Sequence, residues 1–256
     1  MPSSILEEFS SEGTLLLGGG RAILLQAADP VVAAAVVEHS DFANRPLERL
    51  HNTLTFVYGT MLGTPAEAAL VARMTTAAHR RIPTANDPER QLWVAATLYD
   101  TAVRVHERLH GTLAPADAAA VLDAYSVLGT ALEVPAELWP DSPAAFERYW
   151  QDAVAALSVG DAARQVAHDL FHPTTAPLWL RAALPLAGLL TGSLLDPALR
   201  SAFGLRWTRG HDRRAALAWA VVRALARVLP APALSAPSRY YLRRLRALAT
   251  RRHGSA

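Results

Sequence analysis

The chain has 256 residues, of which 25 are basic and 23 acidic, and every basic residue is Arg. Without Lys, the chain has no Schiff-base nucleophile, no anchor for pyridoxal phosphate and no P-loop lysine. Without Cys, it has no thiolate nucleophile, disulfide, iron–sulfur cluster or thiolate-ligated haem. Nine His, the carboxylates and the hydroxyl-bearing residues remain for metal or acid–base chemistry.

Charge is distributed unevenly along a chain that is 51% hydrophobic and 19% charged. This composition is too apolar for a disordered protein, and its many Ala and Leu residues favour helices. Residues 201–256 carry twelve Arg and a single acid, Asp212. A basic segment can bind nucleic acid, but no nucleic-acid-binding module accompanies it, so we expect it to pack against the acidic body of the chain.

Helix boundaries are marked by Pro residues that follow capping residues, and by Gly111. The apolar spacing between these marks is helical. Taken in chain order, it predicts helices over 31–39, from 44–46 to 61, and over 66–81, 89–110, 116–132, 144–157, 161–171, 178–190, 212–228 and 238–252.

Signals for β-strands are nearly absent, because short alternating runs of Val, Ile and Thr do not recur at regular spacing. Repeats at solenoid periods are also lacking. The Pro-rich stretch at 230–237 is too short to separate two domains. We therefore predict one all-α domain spanning residues 1–256.

Membrane insertion is not predicted. The best candidate, 176–195, contains Arg181 and Pro185 and leaves an apolar run of 14 residues, short of the roughly 20 needed to span a bilayer. It is interpreted as a buried apolar helix. The first residues carry Glu7, Glu8 and Glu12 and lack a basic leader, so a cytoplasmic protein is expected, with weak contact to a membrane surface left open.

One local string, His106-Glu107-Arg108-Leu109-His110, matches H-E-x-x-H. On a helix the two His share a face and can bind Zn²⁺, with the Glu as general base, which makes a zinc hydrolase one alternative. The other interpretation is a helix end whose His residues face water or bind the last carbonyls. His168 and His172 have the same spacing, but no Glu follows the first His.

A third hypothesis is a non-catalytic helical binding protein. Its basic tail, Arg239-Tyr240-Tyr241-Leu242-Arg243-Arg244, would contact an anionic surface.

Several short motifs occur in a fixed order along the chain. They are Gly19-Gly20-Arg21 and Ala27-Ala28-Asp29-Pro30, Glu38-His39-Ser40-Asp41-Phe42, Arg49-x-x-x-Thr53, Met74 with His79, Asp87-Pro88 before Leu92-Trp93-Val94, Leu205-x-Trp207-Thr208 and Leu229-Pro230. In this order and spacing, the chain resembles the family that unites the mycophenolic-acid oxygenase MpaB with bacterial latex clearing proteins. The resemblance covers nearly the whole chain.

This resemblance implies a globin-like helical body with additional helices that binds haem b, with His79 as the proximal iron ligand. It places Arg49 and Thr53 on the O₂ side of the haem and His39 among the cofactor-binding residues. Arg49 and Thr53 are four residues apart and share a helix face, where they can hydrogen-bond bound water or O₂. From the pattern alone, His79 also fits an ordinary core or surface His, and Thr53 could bond back to its own helix.

Two departures from the family pattern bear on the substrate. Asn52 stands where latex clearing proteins carry a Lys, and 80–86 lacks the Gly-containing loop often seen before Asp-Pro. The resemblance therefore implies an oxygenase that acts on a hydrophobic small molecule, isoprenoid-like or polyketide-like, instead of rubber. Whether it cleaves C=C bonds, hydroxylates or rearranges its substrate is left open.

Overall fold

A computed structural model describes residues 9, 11–39, 46–80, 82, 84–132 and 134–253. Helices dominate these residues, which contain no β-strand, so the all-α prediction is confirmed. Two 3₁₀ helices cover Gly13–Gly18 and Ala136–Leu138. The α-helices are α1 (Gly19–Ala27), α2 (Pro30–His39), α3 (Pro46–Leu62), α4 (Pro65–His79), α5 (Pro88–His110), α6 (Pro115–Thr130), α7 (Pro143–Ala155), α8 (Asp161–Phe171), α9 (Leu178–Leu194), α10 (Pro197–Ala202), α11 (Arg209–Val228), α12 (Ala231–Leu234) and α13 (Ala236–His253).

Most helix starts lie within a residue of where they were predicted. The Thr64 hydroxyl accepts from Glu67 N–H at 3.3 Å, and the Glu67 carboxylate accepts from Thr64 N–H at 2.8 Å, which forms a capping box. The Asp87 carboxylate accepts from Arg90 N–H in the same way before α5. Gly111 ends α5 with φ 95°, a conformation that favours glycine.

Differences from the predicted boundaries are confined to helix ends and short helices. α9 runs four residues further than predicted, to Leu194, and α11 begins three residues earlier, at Arg209. The short helices α10 and α12 carry too few turns to produce an apolar periodicity, and no helix was predicted for either, nor for the nine-residue α1.

The core is built around α5, which contacts α1, α6, α9 and α11. Its buried side chains meet an aromatic cluster that includes α7: Trp93 stacks on Trp150 with ring centroids 5.3 Å apart, and Tyr99 meets Phe146 at 4.5 Å. Trp93 also donates to the carbonyl of Leu25 at 3.2 Å, which ties α5 to α1. Because these helices surround α5, most residues of its first four turns are buried.

A buried ion pair joins α1 to α5. Arg21 is 1% exposed, and its guanidinium lies 2.6 Å from the Asp100 carboxylate. Arg21 also donates to the carbonyl of Leu194 and to the hydroxyl of Thr101, each at 2.8 Å. Burial lowers the pKa of Arg21, and the charge of Asp100 opposes that shift. Arg104 pairs with the same carboxylate at 2.9 Å from the partly exposed side.

The prediction that the apolar segment at 178–190 is a buried helix is wrong for most of its length. Only the last turns of α9 are buried, whereas Leu178 is 80% exposed and Trp179 is 64% exposed. Hydropathy measures composition, and it does not tell whether another element covers a given face.

Membrane spans were sought over the part of the chain that the structure describes. Within it, no single helix is both long and apolar enough to cross a membrane. The segments Gly13–Ala27 and Pro30–Glu38 reach that length and composition only together, across a bend of 105°.

The last helix of the basic segment 201–256 packs on the rest of the chain, as expected from the charge of that segment. α13 contacts α3 and α4. Leu245 is fully buried, and Arg246 pairs with Glu67 at 2.8 Å. This helix therefore supports the pair of helices that carries Arg49, Thr53 and His79.

Candidate functional site

Helices α3 and α4 form a hairpin that brings Arg49 close to His79. The connection is only 63–64, and a Cβ at Gly63 would lie 2.3 Å from the carbonyl oxygen of Gly59, so the tight approach requires glycine there. Arg49 and His79 lie at about the same distance along the chain from this connection, one on each helix. Because the two helices run antiparallel, the two residues lie at the same level. The Arg49 charge is near enough to His79 to contribute to lowering its pKa.

His79 is the last residue of α4 and is half-buried. Its Nδ1 atom is inaccessible to solvent and has no hydrogen-bond partner among the described residues. Burial, and after it the positive charge of Arg49, lower the pKa of His79 below its ordinary value. The neutral imidazole is therefore favoured, which is the form that binds a metal ion.

Arg49 is half-buried, and burial lowers its pKa. Thr53 lies one turn further along α3 and is exposed. The structure thus brings Arg49 near His79, with Thr53 on the same helix. The backbone of His39 ends α2, but its side chain and residues 40–45 lie outside the described part of the chain.

A second His with a buried ring nitrogen, His51, lies on the neighbouring helix α3. His51 is half-buried, and its Nδ1 also has no hydrogen-bond partner within the described ranges. Unlike His79, His51 packs edge-on against Tyr241 of α13, with ring centroids 5.7 Å apart. Tyr58, two turns on, stacks on the same Tyr241 ring. His51 therefore belongs to the contact between α3 and α13.

The pKa of His79 is expected to rise when Arg49 is changed to Gln, because the repulsion between the two cations is removed. It should stay below its ordinary value of 6.5, since burial remains. The check is an NMR titration of the His79 ring in the ligand-free protein, with the exposed Arg73→Gln as control. An unchanged His79 pKa in Arg49→Gln would contradict the electrostatic contact.

The lowered pKa of His79 also determines how the stability of the folded protein changes with pH. As pH falls, the unfolded chain binds this proton before the folded chain does. The stability that neutral His79 contributes is therefore present above about pH 6.5 and is lost as pH falls from there through the folded pKa.

The two His of the H-E-x-x-H string meet a carboxylate other than Glu107. His110 Nε2 lies 3.0 Å from Glu12 Oε1, and the rings of His106 and His110 are 4.7 Å apart. Glu107 is exposed, whereas Glu12 is buried. Sequence reasoning missed Glu12 in this role because 94 residues separate it from His106, and no local pattern links them.

An open groove of about 460 Å³ lies between α8, α9 and the start of α11. Apolar side chains such as Phe171 and Leu189 line it together with Trp207 and Arg214. No residue of α3 or α4 lines this groove, so it is separate from the His79 region.

Comparison with known proteins gives one family and two relatives. Residues 6–249 match the family model for the catalytic domain of ER-bound oxygenase mpaB/B′ and rubber oxygenase. The chain is 32% identical over 222 residues to an uncharacterized protein of Mycobacterium tuberculosis, Rv2237, and to one of Mycobacterium bovis, Mb2261. Each alignment covers 81% of this chain and 87% of the relative. No solved structure matches the chain significantly.

The family match extends over nearly all of the helices described above, including the α3–α4 hairpin and the α13 helix packed on it. An oxygenase catalytic domain is what this family model describes. The chain therefore belongs to the mpaB and rubber oxygenase catalytic-domain family.

Proposed function

We propose that this protein is a haem b-dependent oxygenase that acts on a hydrophobic small molecule, with His79 as the iron ligand. The observation that carries the proposal is the buried His79 Nδ1, which has no hydrogen-bond partner in the described part of the chain, on a ring whose pKa is lowered by burial and by the charge of Arg49. The oxygenase class itself follows from family membership.

The residues present suit a haem iron. The chain has no Cys, so a His is the natural strong ligand. A buried polar atom without a partner costs free energy, and ligation of a metal would satisfy it. The lowered pKa keeps the ring neutral at physiological pH, so no proton has to leave before the ligand binds. When bound, haem b would supply the activation of O₂.

Arg49 and Thr53 have complementary tasks in this proposal. The guanidinium of Arg49 offers several N–H donors and a fixed charge, so it can hold anionic or strongly polarised oxygen atoms by hydrogen bonds. The Thr53 hydroxyl can both donate and accept, and it can orient a water molecule or an oxygen of the substrate. His39 is proposed as a further cofactor contact, on the resemblance of its motif alone.

The substrate class follows from what the chain lacks. Asn52, one residue before Thr53, is exposed and uncharged, and the chain has no Lys that could take its place. An apolar pocket with few polar groups, as proposed here, would suit an isoprenoid-like or polyketide-like molecule. For such a substrate, the side chains near His79 mainly set orientation and exclude water.

The absorption spectrum and metal content of the purified protein test this proposal. We expect a Soret band and close to one iron per chain. With an unsaturated isoprenoid or polyketide-like compound, O₂ should be consumed in proportion to the haem present. A colourless protein that takes up no haemin would contradict the proposal. Zinc-dependent hydrolytic activity in a protein without iron would instead favour the zinc hydrolase alternative.

A further inference from the structure

Three metal-binding side chains from two distant segments meet at the C-terminal end of α5. We propose that Glu12, His106 and His110 form a Zn²⁺ site that is distinct from His79. Their ligand atoms all lie within 4.8 Å of one another, and Glu12 Oε1 is 3.0 Å from His110 Nε2. Within the residues that the structure describes, this is the one cluster of its kind.

The ligand set suits zinc. Zinc sites with two His, one Glu and an open fourth position are common, and their Zn–N and Zn–O distances of about 2.0–2.2 Å place neighbouring ligand atoms about 3.3 Å apart. His106 and His110 are four residues apart on α5, so their rings project from one helix face. A small rotation of each side chain would bring the three atoms into that arrangement.

The surroundings of Glu12 resemble those of a prepared ligand. Its side chain is only 7% exposed, and a carboxylate is seldom buried to this degree unless it is paired or binds a metal. Thr14 donates a hydrogen bond to Glu12 Oε1, the oxygen that also faces His110, and so helps to fix the carboxylate. Phe9 packs against the His106 ring with centroids 5.0 Å apart and covers the site with an apolar side chain.

The second His pair of the chain shows what the same spacing gives without a third ligand. His168 of α8 and His172, the residue just after this helix, stack with ring centroids 4.8 Å apart, but His172 Nδ1 bonds to the carbonyl of His168. Asp169 contacts His168, and the described residues place no third ligand atom against both rings. The convergence of Glu12 on α5 is therefore not a general result of His-x-x-x-His spacing.

A metal ion here would join the segment before the Gly13–Gly18 helix to the last turn of α5. His110 is 38% exposed, so water can reach the fourth position. Glu107 is exposed and is not one of the clustered ligands. Because Glu12 and α5 belong to distant segments, the bound ion would hold the N-terminal segment on α5, and its open position would carry a water molecule, as in zinc sites of the catalytic kind.

The test uses the full-length protein, freed of metal with a chelator and then titrated with Zn²⁺ alone. We expect one Zn²⁺ per chain and a higher melting temperature with zinc. His106→Ala and the nearly isosteric Glu12→Gln should weaken zinc binding by roughly 100-fold or more. Loss of a residue that only hydrogen-bonds to a metal ligand typically weakens binding by about 10–100-fold. His168→Ala and Glu107→Gln are matched controls and should bind zinc like the unchanged protein.

Two further measurements serve as controls. The first distinguishes the loss of a zinc ligand from the loss of the fold, and the second distinguishes this zinc site from His79. Without zinc, Glu12→Gln should have the circular dichroism spectrum of the parent protein. His79→Ala should keep its zinc, and His106→Ala should keep any Soret band. The proposal is overturned if the parent protein binds no zinc, if Glu12→Gln and His106→Ala still bind it, or if His168→Ala weakens binding as much as they do.

Discussion

Changing His79 to Ala is expected to remove the Soret band and the bound iron from the purified protein. The reason is that the chain offers no Cys, and the buried His79 Nδ1 would be the strong ligand lost. The measurement is the ratio of Soret to protein absorbance, together with iron per chain, in the parent and variant proteins. We expect the variant to retain less than about a tenth of the haem, because ligation supplies much of a metal's binding free energy.

His51→Ala is the matched control, because His51 also presents a buried Nδ1 without a partner but packs against Tyr241. It should keep the Soret band. Adding haemin together with imidazole to His79→Gly, and then removing the unbound haemin, should restore part of the band, which a variant that had merely unfolded would not do. If His51→Ala lost the haem and His79→Ala kept it, the assignment of the iron ligand would be wrong.

Changing Asp100 to Ala is expected to lower the free energy of unfolding by about 3–5 kcal/mol. It leaves the Arg21 guanidinium buried without its carboxylate, and breaking one side of a buried ion pair carries a cost of this size. Urea denaturation followed by circular dichroism measures the change. The exposed Asp123→Ala, also in a helix, should stay within about 0.5 kcal/mol of the parent.

The double variant Arg21→Met with Asp100→Leu provides the internal check. Removing both charges avoids the buried unpaired cation, so we expect it to be more stable than Asp100→Ala. Arg21 also donates to the carbonyl of Leu194. The double variant lacks this hydrogen bond, so we expect its free energy of unfolding to stay below that of the parent protein. A loss below about 1 kcal/mol in Asp100→Ala would show that water and the remaining acceptors, the Leu194 carbonyl and the Thr101 hydroxyl, compensate for the buried cation.

The helices and their starts could be predicted because the responsible effects are local. Thr64 with Glu67, and Asp87 ahead of α5, act within one turn, and Gly111 ends α5 through its own backbone. The same locality explains the errors: α10 and α12 are too short for periodicity to show, and helix ends shift by a turn according to what packs against them.

Part of the candidate site could also be predicted. Arg49, Thr53 and His79 were proposed from the resemblance to the family, and the proximity of Arg49 to His79 follows from two helices of similar length joined by a short turn. The assignment of His79 to haem iron stays a prediction, as do the O₂-side roles of Arg49 and Thr53. The globin-like arrangement also stays a prediction, and the side chain of His39 lies outside the described residues.

What the sequence determined by itself is therefore the helical class, most of the helix positions and the family motif, since each depends on residues that are close along the chain. Tertiary structure decided which apolar faces are covered, so that the first half of α9 is exposed although its composition resembles a core helix. It also decided which charged groups meet, as when Arg21 pairs with Asp100 and Glu12 reaches His110. Such contacts join residues roughly 80 to 100 positions apart, and their free energy exists only once the helices have packed.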